Sequence, residues 1–189
     1  MTTLPDIPRL YTALAEVLAA VLYAQAMPPR MDKRLCRGVT VIWAGLLAAF
    51  LQLTGDVPLV WWIPCMTAAI GWIYLYLWGT RAMNLLEAGY GCARAFILAE
   101  LAASVEWQLH CVLWPQQGAG KPLSLVLLVV VYAVLYGFLY RFEQRRTTAA
   151  RLTITTAAML MAVVMAVTVF AVSNLSFVSN GEATMSVFY

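Results

Sequence analysis

Charge is scarce in this chain: of 189 residues only 11% are Asp, Glu, Lys or Arg, and histidine occurs once, as His110. A soluble domain carries about a quarter of its residues charged, so there is too little charge here to clothe a solvated surface. Cys36, Cys65, Cys92 and Cys111 contain no C-x-x-C pair. With a single imidazole, the ligand set for a zinc or iron–sulfur site is missing. No metal or cofactor is expected, and the thiols read as unpaired apolar residues. No Ser or Cys nucleophile stands with His110 and an acid at a recognisable spacing, so the chain is not expected to be an enzyme. The net charge of +3 gives no support to nucleic-acid binding.

Apolar residues are abundant: 63% of the chain is hydrophobic and the mean hydropathy is +0.79. Such a composition predicts an all-α, polytopic membrane protein forming one bundle of six transmembrane helices. The spans are expected at about 10–27, 38–54, 59–78, 91–114, 123–140 and 152–172, with 173–189 as a tail. The first span ends in Ala24-Gln25-Ala26, which imitates a signal-peptidase site. Glu16 interrupts its apolar run, and the positive charge follows the run instead of preceding it, so the segment is read as retained. Aromatics in the third span, Trp61, Trp62, Trp72, Tyr74, Tyr76 and Trp78, read as an interfacial belt. Ala158, Ala162 and Ala166 in the sixth form a small-residue stripe that admits another helix closely. The fifth, apolar apart from its tyrosines, is expected to have the most lipid contact.

Orientation follows from the basic residues. Arg30, Lys33, Arg34, Arg37, Arg81, Arg94, Arg141, Arg145, Arg146 and Arg151 fall at connections one–two, three–four and five–six, whereas Arg9 and Lys121 fall on the other side. The positive-inside rule places those three connections in the cytoplasm and both termini outside.

The fourth span is the one on which the others depend. It is long enough to cross a bilayer and yet holds Arg94, Glu100, Glu106 and His110. Ionisable groups at membrane depth are costly and are kept where they meet a partner, a cavity or water, so this helix is expected at the centre of the bundle. Glu100 falls near the midplane at a depth comparable to Glu16 of the first span. Glu16, Glu100, Ser104 and Arg94 are the candidate intramembrane polar cluster. The two carboxyls are expected to face each other across spans one and four and to share a proton or a hydrogen-bonded network, while Arg94 reaches headgroups at the cytoplasmic edge. Glu106, Gln108 and His110 lie near the outer end. With Trp61 and Trp62 of the neighbouring span they form the candidate ligand site, either an external pocket or a group of wetted residues.

Three segments carry a family resemblance: IPRLYTALAEVLAA in the first span, AGYGCARAFILAELAASVEWQL at 88–109, and SNLSFV at 173–178. Together they resemble the membrane sensor region of bacterial GHKL-type sensor histidine kinases, distant relatives of the Agr-type peptide receptors. The resemblance covers nearly the whole chain, through membrane-helix patterns and not through a catalytic signature. It implies a multi-pass signal-input domain in the bacterial cytoplasmic membrane, sensing an external peptide or small molecule. In that family a seventh helix leads into a dimerising cytoplasmic kinase core that addresses a response regulator. Neither a phospho-accepting His segment nor a Gly-rich ATP lid is present in this sequence, so the chain itself is not expected to catalyse anything. Size and helix count also fit a second reading, the small-molecule-binding membrane subunit of an energy-coupling-factor transporter. Such subunits usually keep their termini in the cytoplasm, opposite to the charge count.

Overall fold

Apolar segments with little chance to hydrogen-bond to water must satisfy their backbone internally, and a helix does so within a single segment. The computed structural model follows that rule, with six helices: α1 (Arg9–Gln25), α2 (Lys33–Leu53), α3 (Leu59–Thr80), α4 (Leu85–Leu113), α5 (Pro122–Ala149) and α6 (Thr156–Ser179). It describes residues 8–55, 57, 59–113, 122–149 and 154–179, without the side chains of 59, 60, 62, 143–149 and 172–179. The tail beyond 179, Lys121, Arg151 and the side chains of Trp62, Arg145 and Arg146 therefore lie outside the described residues.

All six expected helices are present, but their ends move. α4 begins at Leu85 and not at 91 because Asn84 and Glu87 form a capping box. The Asn84 amide donates to Glu87 Oε2 at 2.8 Å and the Glu87 amide to Asn84 Oδ1 at 2.8 Å. α5 runs on to Ala149 and takes in Arg141, while α6 runs to Ser179 and absorbs the start of the expected tail.

The expectation of six spanning helices is met in part. Among the described residues, α2, α4 and Pro122–Phe142 of α5 are long and apolar enough to cross a membrane, three helices and not six. The reasons differ. α1 has 17 residues, about 26 Å of helix against a hydrocarbon core of ~30 Å. α3 contains Pro64, and its side chains at 59, 60 and 62 and those of α6 at 172–179 lie outside the described residues, which leaves Thr156–Ala171 as the described apolar part of α6.

α4 is the hub. It packs against α1, α3, α5 and α6, while α2 closes the other side against α1 and α3. The most extensive of these contacts, α1 with α4, is built from small side chains: Ala13, Ala15, Ala19, Ala20 and Ala24 on α1 and Ala88, Ala95, Ala99, Ala102 and Ala103 on α4 are all buried. Alanine lets two backbones approach, which is how helices associate where the surrounding medium is as apolar as their side chains. α6 approaches α4 in the same manner, with Ala162 and Ala166 of the expected stripe buried and Met159 Cε 3.2 Å from where a Cβ on Gly89 would stand.

The α3 aromatics are not a uniform belt. Tyr76 is buried and stacks on Trp43 of α2 at 4.1 Å between ring centroids, and its hydroxyl pairs with Thr40 Oγ1 at 3.0 Å. Trp43 Nε1 in turn donates to the carbonyl of Trp72 at 3.3 Å. Trp61 and Trp78 alone among the described tryptophans of α3 are exposed. Large apolar side chains also cover the outer faces of α2, α5 and α6, among them Val41, Ile42, Val130, Val134, Phe138 and Met161. The bundle is thus apolar outside and holds carboxyls inside, the reverse of a soluble protein.

The connections from α1 to α2 and from α3 to α4 are joined at one end of the bundle. An isolated antiparallel bridge pairs Pro29 with Arg81. The Arg30 amide donates to the Thr80 carbonyl at 2.9 Å and the Ala82 amide to the Pro28 carbonyl at 3.0 Å. The Arg30 guanidinium reaches the Met83 carbonyl at 3.3 Å and lies 5.6 Å over the Trp78 ring, and Arg81 donates to the Met27 carbonyl at 3.4 Å.

Candidate functional site

The antiparallel α1–α4 seam carries its polar groups at three levels. At the basic end the Arg94 guanidinium of α4 lies 4.9 Å over the Tyr23 ring of α1 and 5.5 Å over Tyr90. That is cation–π packing against protein rings, where contact with headgroups had been expected.

Six residues further along α4, about 9 Å of helix rise, Glu100 lies within electrostatic reach of Glu16. Glu16 is 1% exposed, and neither of its carboxyl oxygens has a hydrogen-bond partner among the described residues. Glu16 makes no hydrogen bond to Glu100. Ser104 and Glu100 are half-buried. Cys92 of α4 and Tyr136 of α5 lie in reach of Glu16 as well.

The third level holds Glu106 and His110, one turn apart on α4 and both buried, at 0% and 2% exposure. Both carboxyl oxygens of Glu106 lack a hydrogen-bond partner among the described residues. Trp107, also buried, stacks on the His110 ring at 5.0 Å and 7° between planes. Tyr132 of α5 and Cys111 are within electrostatic reach of Glu106.

The expected ligand group is therefore divided. Glu106 and His110 face the interior, while Gln108 and Trp61 are exposed, and the side chain of Trp62 lies outside the described residues. Glu106 and His110 are not wetted mouth residues. The period of the helix accounts for the split: Gln108 stands about 200° from Glu106 around the axis, while His110 is about 40° away.

α5 supplies residues that the sequence reading passed over. Tyr132 donates its hydroxyl to the Tyr11 carbonyl at 2.9 Å, Tyr136 donates to the Ala15 carbonyl at 2.7 Å, and the Tyr11 hydroxyl pairs with Ser124 Oγ at 3.1 Å. The available signal was the four-residue spacing of Tyr132 and Tyr136 in an otherwise aliphatic helix. Their rings, with Leu14, Leu18, Leu128 and Val129, line an open apolar groove of about 340 Å³ between α1 and α5.

Chemically, this arrangement can hold a proton or a cationic group beside an unpartnered carboxyl, and it can translate occupancy into helix packing. Among the described residues no group of three or more His, Cys, Asp or Glu is placed to hold a metal. No protein-family model matches the chain, and the comparisons with curated proteins and with solved structures give no match.

Proposed function

We propose that this chain is the membrane-embedded signal-input domain of a GHKL-type sensor histidine kinase of the bacterial cytoplasmic membrane, with six helices crossing the bilayer and both termini outside. The observation that carries the reading is the position of Glu106 and His110, buried on α4, which packs against α1, α3, α5 and α6. A ligand acts on a conformational equilibrium only by binding one arrangement better than another. A group that engages Glu106 must part α4 from its neighbours or settle between them, and either displaces the hub. The segments quoted above supply the family half of the proposal.

In this reading the ligand, an external peptide or small molecule, enters past Gln108 and Trp61 and is recognised by Glu106 and His110. The kinase core, homodimerisation and the response regulator belong to the full-length protein. The experiment is a pair of fusions after Tyr189, one to a phosphatase active only outside the cytoplasm and one to a reporter active only within. Phosphatase activity, with a reading frame that continues into one further span and an ATPase domain, supports the proposal. A cytoplasmic C-terminus beside a transporter ATPase gene overturns it in favour of the transporter subunit.

A further inference from the structure

The middle level of the seam has a chemistry separate from ligand recognition. Glu16 is buried on the α1–α4 seam, where the Tyr23–Arg94 contact sets a register that brings a second carboxyl, Glu100, within electrostatic reach, and the proton donors around it are turned elsewhere. The Tyr136 hydroxyl is committed to the Ala15 carbonyl at 2.7 Å and the Cys92 thiol to the Ile70 carbonyl at 3.4 Å. Arg94, six residues before Glu100, lies over the Tyr23 and Tyr90 rings. α2 keeps its charges in its first turn and a half, at Lys33, Arg34 and Arg37, and α3 has no charged side chain. An ionised carboxylate at Glu16, buried and with no hydrogen-bond partner among the described residues, is not stable there. A metal cation would need a shell of ligands, and among the described residues no group of three or more His, Cys, Asp or Glu supplies one. A proton needs no such shell.

We propose that Glu16 and Glu100 form an intramembrane binding site for a single proton, seated on the α1–α4 seam. The proton removes the repulsion between the two acids and lets the alanine faces of α1 and α4 close on each other. Its loss puts like charges into the tightest helix contact of the bundle. The seam therefore responds to proton supply independently of what occupies the Glu106 level, and the site would serve a proton-responsive input or a relay across the bundle alike.

Dicyclohexylcarbodiimide tests this on the full chain in lipid nanodiscs, because the apolar reagent adds only to a protonated carboxyl, whose proton passes to the reagent nitrogen as the acylurea forms. Mass spectrometry of the fragments is expected to place an adduct on Glu16 at neutral pH, with labelling that falls about tenfold per pH unit once past its midpoint and is indifferent to sodium. Glu16→Gln is expected to abolish that adduct. Glu100→Gln, which keeps Glu16, is expected to retain the adduct and displace its pH profile. Folded protein without an adduct at Glu16, or a profile unmoved by Glu100→Gln, overturns the proposal. Protection by sodium at constant pH also overturns it, since the site would then belong to a metal cation. None of these readouts depends on signalling, so their failure and that of the sensor reading are distinguishable.

Discussion

Tyr136 of α5 donates its hydroxyl to the backbone carbonyl of Ala15 on α1, one turn along from the equivalent contact of Tyr132 with the Tyr11 carbonyl. The two spacings match, four residues on each helix, so α5 runs parallel to α1 and is held in one register. Both tyrosines are buried, and their hydroxyls would otherwise stand unpaired in apolar surroundings.

Tyr136→Phe removes the donor and leaves a carbonyl that keeps its place in the α1 helix. The expected loss is about 0.5–1.5 kcal/mol, read as a lower unfolding midpoint in mixed micelles titrated with denaturing detergent. Combining it with Tyr132→Phe is expected to cost more than either alone, and a cysteine pair across α1 and α5 should then cross-link in more than one register.

Gly89 marks the closest approach of α4 and α6. A Cβ there meets the flexible end of Met159 at 3.2 Å and Tyr74 at 3.9 Å, so Gly89→Ala is expected to be accommodated. Gly89→Leu forces the helices apart at a cost of roughly 1–3 kcal/mol. Disulfide trapping between cysteines introduced on the two helices would detect the separation as a slower rate.

Asn84→Ala opens the capping box and leaves the Glu87 amide at the start of α4 without its acceptor. The cost is about 1 kcal/mol. Hydrogen exchange at Leu85, Leu86 and Glu87 is expected to accelerate, while exchange at the alanines further along the helix stays slow.

Glu106→Gln loses no hydrogen bond seen among the described residues and is of the same size, so the fold is expected to stand within about 1 kcal/mol. Recognition of a cationic ligand group at this level is expected to be lost. A Glu106→Gln protein whose unfolding midpoint and ligand response both match the parent would remove Glu106 from the site.

Much of this arrangement is legible in the residues. The centrality of α4 follows from the cost of Arg94, Glu100, Glu106 and His110, and the placing of Glu16 within electrostatic reach of Glu100 agrees with their comparable depth. The Ala162 and Ala166 approach follows from spacing. What escaped the sequence depends on side-chain direction or on local competition. Gln108 and Glu106 are two residues apart and face opposite ways, and depth alone does not separate them. Tyr76 reads as a belt residue until Trp43 is placed against it. The start of α4 is decided by two side-chain hydrogen bonds at Asn84 and Glu87, which outweigh the mixed polarity of that stretch.

The bridge between Pro29 and Arg81 gives the bundle a fulcrum. With the α1–α2 and α3–α4 hairpins tied at one end, relative motion of α1 and α4 becomes tilting about that end, and displacement grows with distance from it. The Arg94 level, about 14 Å from the start of α4, moves by about 1.2 Å for a tilt of ~5°. The Glu106 level, about 32 Å from the start of α4 at Leu85, swings by about 2.7 Å for a tilt of ~5°. A lever of this length turns a small spread at one end into a change of helix angle for the whole assembly.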